Sequence, residues 1–219
     1  MRFIKLTLFT AVIASTSAAF EPDHLQQLNT TNACFNCDLS GVDLTGSDLQ
    51  NADLKIANLQ STQLENANLA SSTLAETNLK DANLKNANLE KANLWYGVLQ
   101  GANLSGATLN EANLYSANLV AANLRFAKLG KANLTNAVLH SADLTTARLK
   151  AAQLMLADLT GARLVDANLE GANLLGANLT GADLSGANLV KGEFTGVSGE
   201  GIIFCNTTMP DGNVVYKGC

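Results

Sequence analysis

Leucine recurs at every fifth position over most of the chain, from Leu39 to Leu189, which makes 31 consecutive leucines without a miss. The residue two positions before each leucine is small, and it is alanine in 24 of the 31 repeats. The residue directly before the leucine is Asn or Asp in most repeats. The repeating unit is therefore Ala-Asn/Asp-Leu followed by two variable positions.

A period of five residues fits neither of the regular secondary structures. On a helix the leucines would move around the whole surface, and on a strand they would alternate between the two faces. The leucine and the small residue can both point inward if each unit runs briefly extended and then turns. Asn and Asp favour such turns because their side chains bond nearby backbone groups. The pattern predicts a stack of coils that hydrogen-bond to one another at a spacing of about 4.8 Å.

Units such as Ala172-Asn173-Leu174-Leu175-Gly176 and Ala182-Asp183-Leu184-Ser185-Gly186 resemble those of the pentapeptide repeat family, over about residues 34–209. The resemblance implies an all-β fold, a right-handed quadrilateral β-helix with four pentapeptides, or twenty residues, in each coil. The stretches CFNCDLSGVDL and CNTTMPDG are similar to the termini of exported cyanobacterial members, including those directed to the thylakoid lumen.

Residues 1–19 have the pattern of a cleaved secretory signal. Arg2 and Lys5 precede an apolar run, and small residues lead up to Ala19, as at a signal-peptidase site. The alternative, an N-terminal membrane anchor, needs roughly 18 or more apolar residues, about twice the length of this run. We therefore expect an exported chain, in the periplasm or the thylakoid lumen, with no membrane span once the signal is removed.

The remaining chain divides into three predicted segments. Residues 20–33 form an N-terminal cap with a short helix, which begins near Pro22 and has Leu25 and Leu28 on one face. Residues 34–195 form the repeat β-helix, and residues 196–219 form a terminal coil and a C-terminal cap that contains a turn at Pro210. Both caps are needed because an open end of a stack exposes its apolar core.

Four cysteines lie as two pairs at opposite ends of the repeat region. If the repeats form a rigid rod, the two ends are farther apart than the Cα separation of about 7 Å that a disulfide tolerates. This favours two disulfides, Cys34–Cys37 and Cys205–Cys219, and the same distance argues against a shared zinc site. A redox-active Cys34/Cys37 pair remains as an alternative.

The charge of the chain argues against general binding of nucleic acid. The formal net charge is −5, and removal of Arg2 and Lys5 with the signal would lower it to −7. The histidines, His24 and His140, are far apart in the predicted stack, and the serines have no neighbouring base. We therefore predict no catalytic residue, no metal site and no cofactor.

Three aromatic residues form the candidate binding patch. Trp95 and Tyr115 occupy the same outward position one coil apart, and Tyr96 lies beside them. Exposed aromatic side chains often mark a contact surface. The alternative is that the rings cover a loosely packed face beside Gly97, where alanine is replaced.

These features predict a non-catalytic structural or protein-interaction module with a protein partner, present as a monomer or an end-to-end dimer. The family resemblance implies one alternative, a mimic of duplex DNA that binds DNA gyrase. Export and the lysines interspersed among the acidic residues argue against it. The second alternative is a thiol redox-responsive protein that uses Cys34 and Cys37.

Overall fold

The computed structural model describes residues 21–219, so the predicted signal at residues 1–19 lies outside the described part of the chain. Helix α1 spans Pro22–Thr31, strand β1 spans Phe204–Thr208 and strand β2 spans Val214–Lys217. Between α1 and β1, the chain alternates isolated parallel bridges with turns every five residues.

Each parallel bridge joins a residue to the residue twenty positions later, from Ala33–Asp53 to Asn188–Thr208. One coil therefore contains twenty residues and four bridges, which is the coil length that the family resemblance implies. Each coil between the two ends is hydrogen-bonded to the coils on both sides. The backbone N–H of Leu114 donates to the carbonyl of Asn133 at 2.7 Å, and that of Asn113 donates to Ala92 at 2.9 Å.

The core consists of the leucines and the small residues that precede them, as predicted. All 31 leucines are at most 2% exposed, and the 24 alanines of the repeat are at most 1% exposed. Where Thr replaces Ala, the buried hydroxyl donates to a backbone carbonyl. Thr62 bonds to Leu39 at 2.9 Å, and Thr77 bonds to Leu54 at 2.8 Å. These bonds satisfy polar groups that would otherwise be costly to bury.

The corners of the coils depend on the Asn and Asp residues that precede the leucines. The Oδ1 atom of Asp38 accepts the backbone N–H of Ser40 at 3.0 Å, and similar bonds recur along the chain. The second residue after each leucine adopts a left-handed conformation, even where it is apolar, as at Ile56 and Leu156 with φ of 61° and 59°. The left-handed turn at the corner, and not packing in the core, therefore sets the direction of large side chains at this position.

Helix α1 lies against the first coil. Pro22 stands in its first turn, and the helix ends where Asn32 adopts a φ of 56° and donates its N–H to Leu28 at 2.9 Å. Leu28 is 1% exposed and belongs to the core, and Leu25 packs against it. The apolar face predicted from the sequence therefore covers the core at this end.

The C-terminal end contains a β-hairpin that the sequence analysis did not predict. Strands β1 and β2 are antiparallel, with Thr208 opposite Val214. Thr208 also pairs with Asn188 of the preceding coil, so β1 continues the stack. The bridges continue across the predicted boundary at residue 195, and the hairpin extends the last coil.

Candidate functional site

Both ends of the stack are closed by a disulfide. Cys34 is bonded to Cys37 with a Cα separation of 5.3 Å, and Cys205 is bonded to Cys219 with a Cα separation of 4.9 Å. These are the two pairs that the sequence analysis favours. Cys34 and Cys37 are only 0% and 3% exposed, so a thiol partner would have to open the first coil to reach them.

The flat faces of the stack are lined by amide side chains that bond to one another from coil to coil. Asn58 donates its Nδ2–H to Asp38 at 3.0 Å, and Asn78 donates to Asn58 at 2.9 Å. The same pattern links Asn123 to Asn103 at 3.2 Å on a second face. These polar groups already have partners within the chain, so the faces gain little from a further polar contact.

Charged side chains on the surface also pair between successive coils. Lys85 lies 3.2 Å from Glu65, and Lys150 lies 3.1 Å from Glu170. The basic side chains near the middle of the stack are partly neutralised, since Arg125 and Arg163 both pair with Asp143, at 3.2 and 3.5 Å.

The pKa of Asp143 lies below its ordinary value as a result of these contacts. Partial burial acts against the charged form and raises the pKa, but hydrogen bonds from Thr145 and from Arg125, with the charge of Arg163, outweigh it. The pKa of Asp38 is also lowered, mainly by the backbone N–H of Ser40. Both carboxylates therefore stabilise the fold in their charged form.

The three predicted patch residues meet at one corner of the stack and are called the aromatic cluster below. The ring centroids of Trp95 and Tyr96 are 4.7 Å apart, and those of Tyr96 and Tyr115 are 6.1 Å apart, both edge to face. Trp95 is 38% exposed and Tyr96 is 49% exposed. Asn136 donates to the hydroxyl of Tyr115 at 3.1 Å, which fixes that ring. The aromatic cluster is therefore a partly apolar surface whose rings are held in place by contacts with one another and with Asn136.

The space beside Gly97 is already occupied. A Cβ atom built at Gly97 would lie 3.3 Å from Leu99 Cδ1 and 2.9 Å from the carbonyl oxygen of Leu94. Leu99 thus fills the room left by the missing methyl group. The face at Gly97 is therefore not loosely packed, which argues against the alternative that the aromatic rings cover a gap there.

Other exposed apolar residues at the same corner were missed by the sequence analysis. Phe35 and Leu156 are each 57% exposed, and Ile56 and Leu175 are 39% and 38% exposed. Their positions differ from those of Trp95 or Tyr96 by multiples of twenty residues. The coil length implied by the resemblance was therefore enough to find them.

Comparison with known proteins identifies the repeat. The model of the family described as pentapeptide repeats matches eight copies, in overlapping stretches between residues 37 and 198. The chain belongs to the pentapeptide repeat family. No curated protein matches it.

Several solved structures are similar to this chain. HetL, involved in heterocyst differentiation regulation in the cyanobacterium Nostoc sp. strain PCC 7120, is 32% identical over 84% of this chain and 91% of its own, with a TM-score of 0.43. Trypsin-treated QnrB1, a plasmid-mediated fluoroquinolone resistance protein, is 17% identical over 74% of this chain and 88% of its own, with a TM-score of 0.63, and shares the fold. A protein from the Arabidopsis thaliana thylakoid lumen is 25% identical over 63% of this chain and 69% of its own, with a TM-score of 0.24.

Two features are absent from residues 21–219, a membrane-spanning helix and a cluster of metal-binding side chains. No helix in this range is long and apolar enough to span a bilayer. No group of three or more His, Cys, Asp or Glu residues in the same range is arranged to hold a metal ion. His24 instead accepts the backbone N–H of Asp38 on its Nδ1 atom at 3.0 Å.

Proposed function

We propose that this pentapeptide repeat protein is a non-catalytic protein-interaction module that acts outside the cytoplasm, in the periplasm or the thylakoid lumen. Its coils wind as a right-handed quadrilateral β-helix, as the family resemblance implies, and the aromatic cluster is its contact site. The observation that carries the proposal is the meeting of Trp95, Tyr96 and Tyr115 at one exposed corner.

The physical basis is the contrast between this cluster and the surface around it. Aromatic side chains bury a large area at a small loss of conformational entropy, and they supply most of the energy in many interfaces. The neighbouring Asn and Asp side chains are bonded to one another along the stack. The backbone beneath is held by coil-to-coil hydrogen bonds, so binding orders few groups.

The proposed compartment is supported by the two disulfides at the ends of the stack and by the signal pattern of residues 1–19. Disulfides persist in oxidising compartments and are rare in the cytosol. Cell fractionation with N-terminal sequencing tests this part. We expect a processed chain that begins after Ala19 outside the cytoplasm, and an unprocessed cytosolic chain with free thiols would contradict it.

The gyrase-binding alternative has weaker support. The likeness to QnrB1 concerns the fold, and a mimic of DNA needs a continuous acidic surface. Here lysines and arginines pair with the acidic side chains between coils, as at Lys85 and Lys150. We expect the processed protein to leave the supercoiling activity of DNA gyrase unchanged at micromolar concentration, and inhibition or protection from quinolones would favour the alternative.

A double substitution, Trp95→Ser with Tyr115→Ser, tests the contact site. Pull-down from extracts of the exported fraction should lose its partners, while the thermal melt stays within a few degrees of wild type. Phe126→Ser is the matched control. Phe126 is 57% exposed and lies at another corner, so this variant should retain all partners. A lower melting temperature with partners retained would show that the rings serve packing, and it would refute the proposal.

A further inference from the structure

The aromatic cluster is the centre of a longer apolar surface. Ten large hydrophobic residues within residues 21–219 are exposed, and six of them lie at this one corner of the stack. The six are Phe35, Ile56, Trp95, Tyr96, Leu156 and Leu175. This surface, called the apolar corner below, extends over seven coil steps from Phe35 to Leu175, or about 34 Å at the usual spacing between strands.

The pattern of apolar and polar levels along the apolar corner is the same from either end. Each coil contributes one level of two corner residues, and the eight levels in chain order are Phe35-Asn36, Lys55-Ile56, Ala75-Glu76, Trp95-Tyr96, Tyr115-Ser116, Thr135-Asn136, Met155-Leu156 and Leu175-Gly176. The third level from each end has no large apolar residue, and each of the other six has at least one. The next level, Thr195-Gly196, ends the surface.

A surface with this symmetry is complementary to an inverted copy of itself. Two copies that lie side by side and antiparallel place each of the six apolar levels opposite an apolar level, and the two levels without a large apolar residue opposite each other. Trp95 then faces Tyr115, Ile56 faces Leu156, and Phe35 faces Leu175. A two-fold axis that relates identical patches in this way is the commonest symmetry of protein dimers.

The charges on the corner favour the antiparallel arrangement over a parallel one. Lys55 and Glu76 are the charged residues of the eight levels, and they pair with each other at 3.8 Å. In a parallel pair of rods, each would face its own copy, which places like charges opposite each other. In the antiparallel pair, Lys55 faces the level of Met155, and Glu76 faces Asn136. The amide of Asn136 donates one hydrogen to Tyr115 and has a second one that can bond to a carboxylate.

We infer that the apolar corner binds a second copy of this chain, side by side and antiparallel, with the two-fold axis between the levels of Trp95 and Tyr115. The inference rests on the proposed function, since the aromatic cluster forms the centre of the contact. It replaces contact through the ends of the stack with contact along its length. A line of contact one or two side chains wide buries less than the roughly 1,600 Å² of a standard interface, so the dimer is weak, in the micromolar range.

Sedimentation equilibrium of the processed chain tests the self-association. The double variant Ile56→Ser, Leu156→Ser removes two facing residues outside the aromatic cluster, and serine fits both corners because Ser61 and Ser116 adopt the same left-handed conformation. We expect its dimer dissociation constant to rise at least tenfold. Phe126→Ser, at an equally exposed left-handed position of another corner, should leave the constant unchanged. A wild-type chain that stays monomeric at several hundred micromolar would overturn the inference.

Cross-linking of single-cysteine additions tests the arrangement. In the antiparallel dimer, the two copies of position 116 are about 5 Å apart along the rods, and the two copies of position 195 are about 43 Å apart. A short bismaleimide should therefore link Ser116→Cys dimers and not link Thr195→Cys dimers. Linking of both variants would indicate parallel rods, and linking of neither would indicate an end-to-end dimer or a monomer. Each of these results would overturn the inference.

The two proposals fail in different ways. If the wild-type chain is monomeric but Trp95→Ser with Tyr115→Ser loses a captured partner, the second copy is excluded and the contact site stands. If the same double variant weakens neither self-association nor capture, the aromatic cluster is no contact site and the proposed function fails.

Discussion

Replacing one core leucine by lysine is the sharpest test of the inward register of the repeat. Leu114 lies near the middle of the stack, is 0% exposed and is followed on the same inner face by Leu134 one coil later. Leu114→Lys loses the burial of a leucine side chain, about 1.5–3 kcal/mol. It also leaves a charge without a partner in the core, which costs about 3–5 kcal/mol more. The sum of roughly 5 kcal/mol or more is comparable to the whole stability of many domains, about 5–15 kcal/mol.

The position of the defect increases its effect. In a stack, each coil is supported only by its two neighbours, so a failed coil in the middle separates the two halves. We expect the cooperative thermal transition of the processed chain, followed by circular dichroism, to be lost or split in Leu114→Lys. Ala121→Lys is the control, because Lys91 and Lys131 already occupy the same place in the repeat with the same left-handed φ of 58°. A Leu114→Lys variant that melts within a few degrees of wild type would refute the inward register.

Three further predictions concern the ends, the charges and one glycine. Reduction of the two disulfides should increase hydrogen exchange at the first and last coils before the middle, because each bridge closes only its own end; uniform loosening would contradict this. The lowered pKa of Asp143 means that its stabilisation is present above the unfolded pKa of about 3.9 and is lost as pH falls through the folded value. Asp143→Asn should therefore lower stability at pH 7 and reduce its acid dependence in urea melts, and an unchanged profile would contradict the contacts. Gly97→Ala should lower the free energy of unfolding by about 1–3 kcal/mol, because its Cβ would lie 2.9 Å from the backbone carbonyl oxygen of Leu94 and 3.3 Å from Leu99 Cδ1; an unchanged or raised stability in urea melts would show that this coil can relax to the geometry of the alanine repeats.

The buried half of the fold follows directly from the sequence. A leucine at every fifth position and a small residue before it predict which side chains point inward, and the structure buries all of them. The coil length does not follow from the period alone, because a unit of five residues is compatible with different numbers of units per coil. It came from the family resemblance, and the bridges between residues twenty positions apart confirm it.

The surface contacts were harder to predict than the buried residues. They depend on the coil length and on how far each side chain extends toward the next coil. The ion pairs Lys55–Glu76 and Arg125–Asp143 join residues 21 and 18 positions apart, so a coil length of twenty residues does not by itself predict them. The hairpin of β1 and β2 was missed because Pro210 and the nearby cysteines indicated a turn and a loop. The apolar corner becomes visible only when all corner residues are arranged by coil.

The fluorescence of Trp95 tests directly whether this protein makes its contacts through the aromatic cluster. Trp95 is the one tryptophan in the sequence and is 38% exposed, so its emission reports on this site alone. Acrylamide quenching can be measured from low to high micromolar concentration of the processed chain, and again with any captured partner. On association we expect a blue shift of the Trp95 emission and a smaller quenching constant. In the double variant Ile56→Ser, Leu156→Ser, neither change should accompany an increase in protein concentration. If sedimentation or capture shows association while the emission and quenching of Trp95 stay unchanged, the contacts do not involve the aromatic cluster.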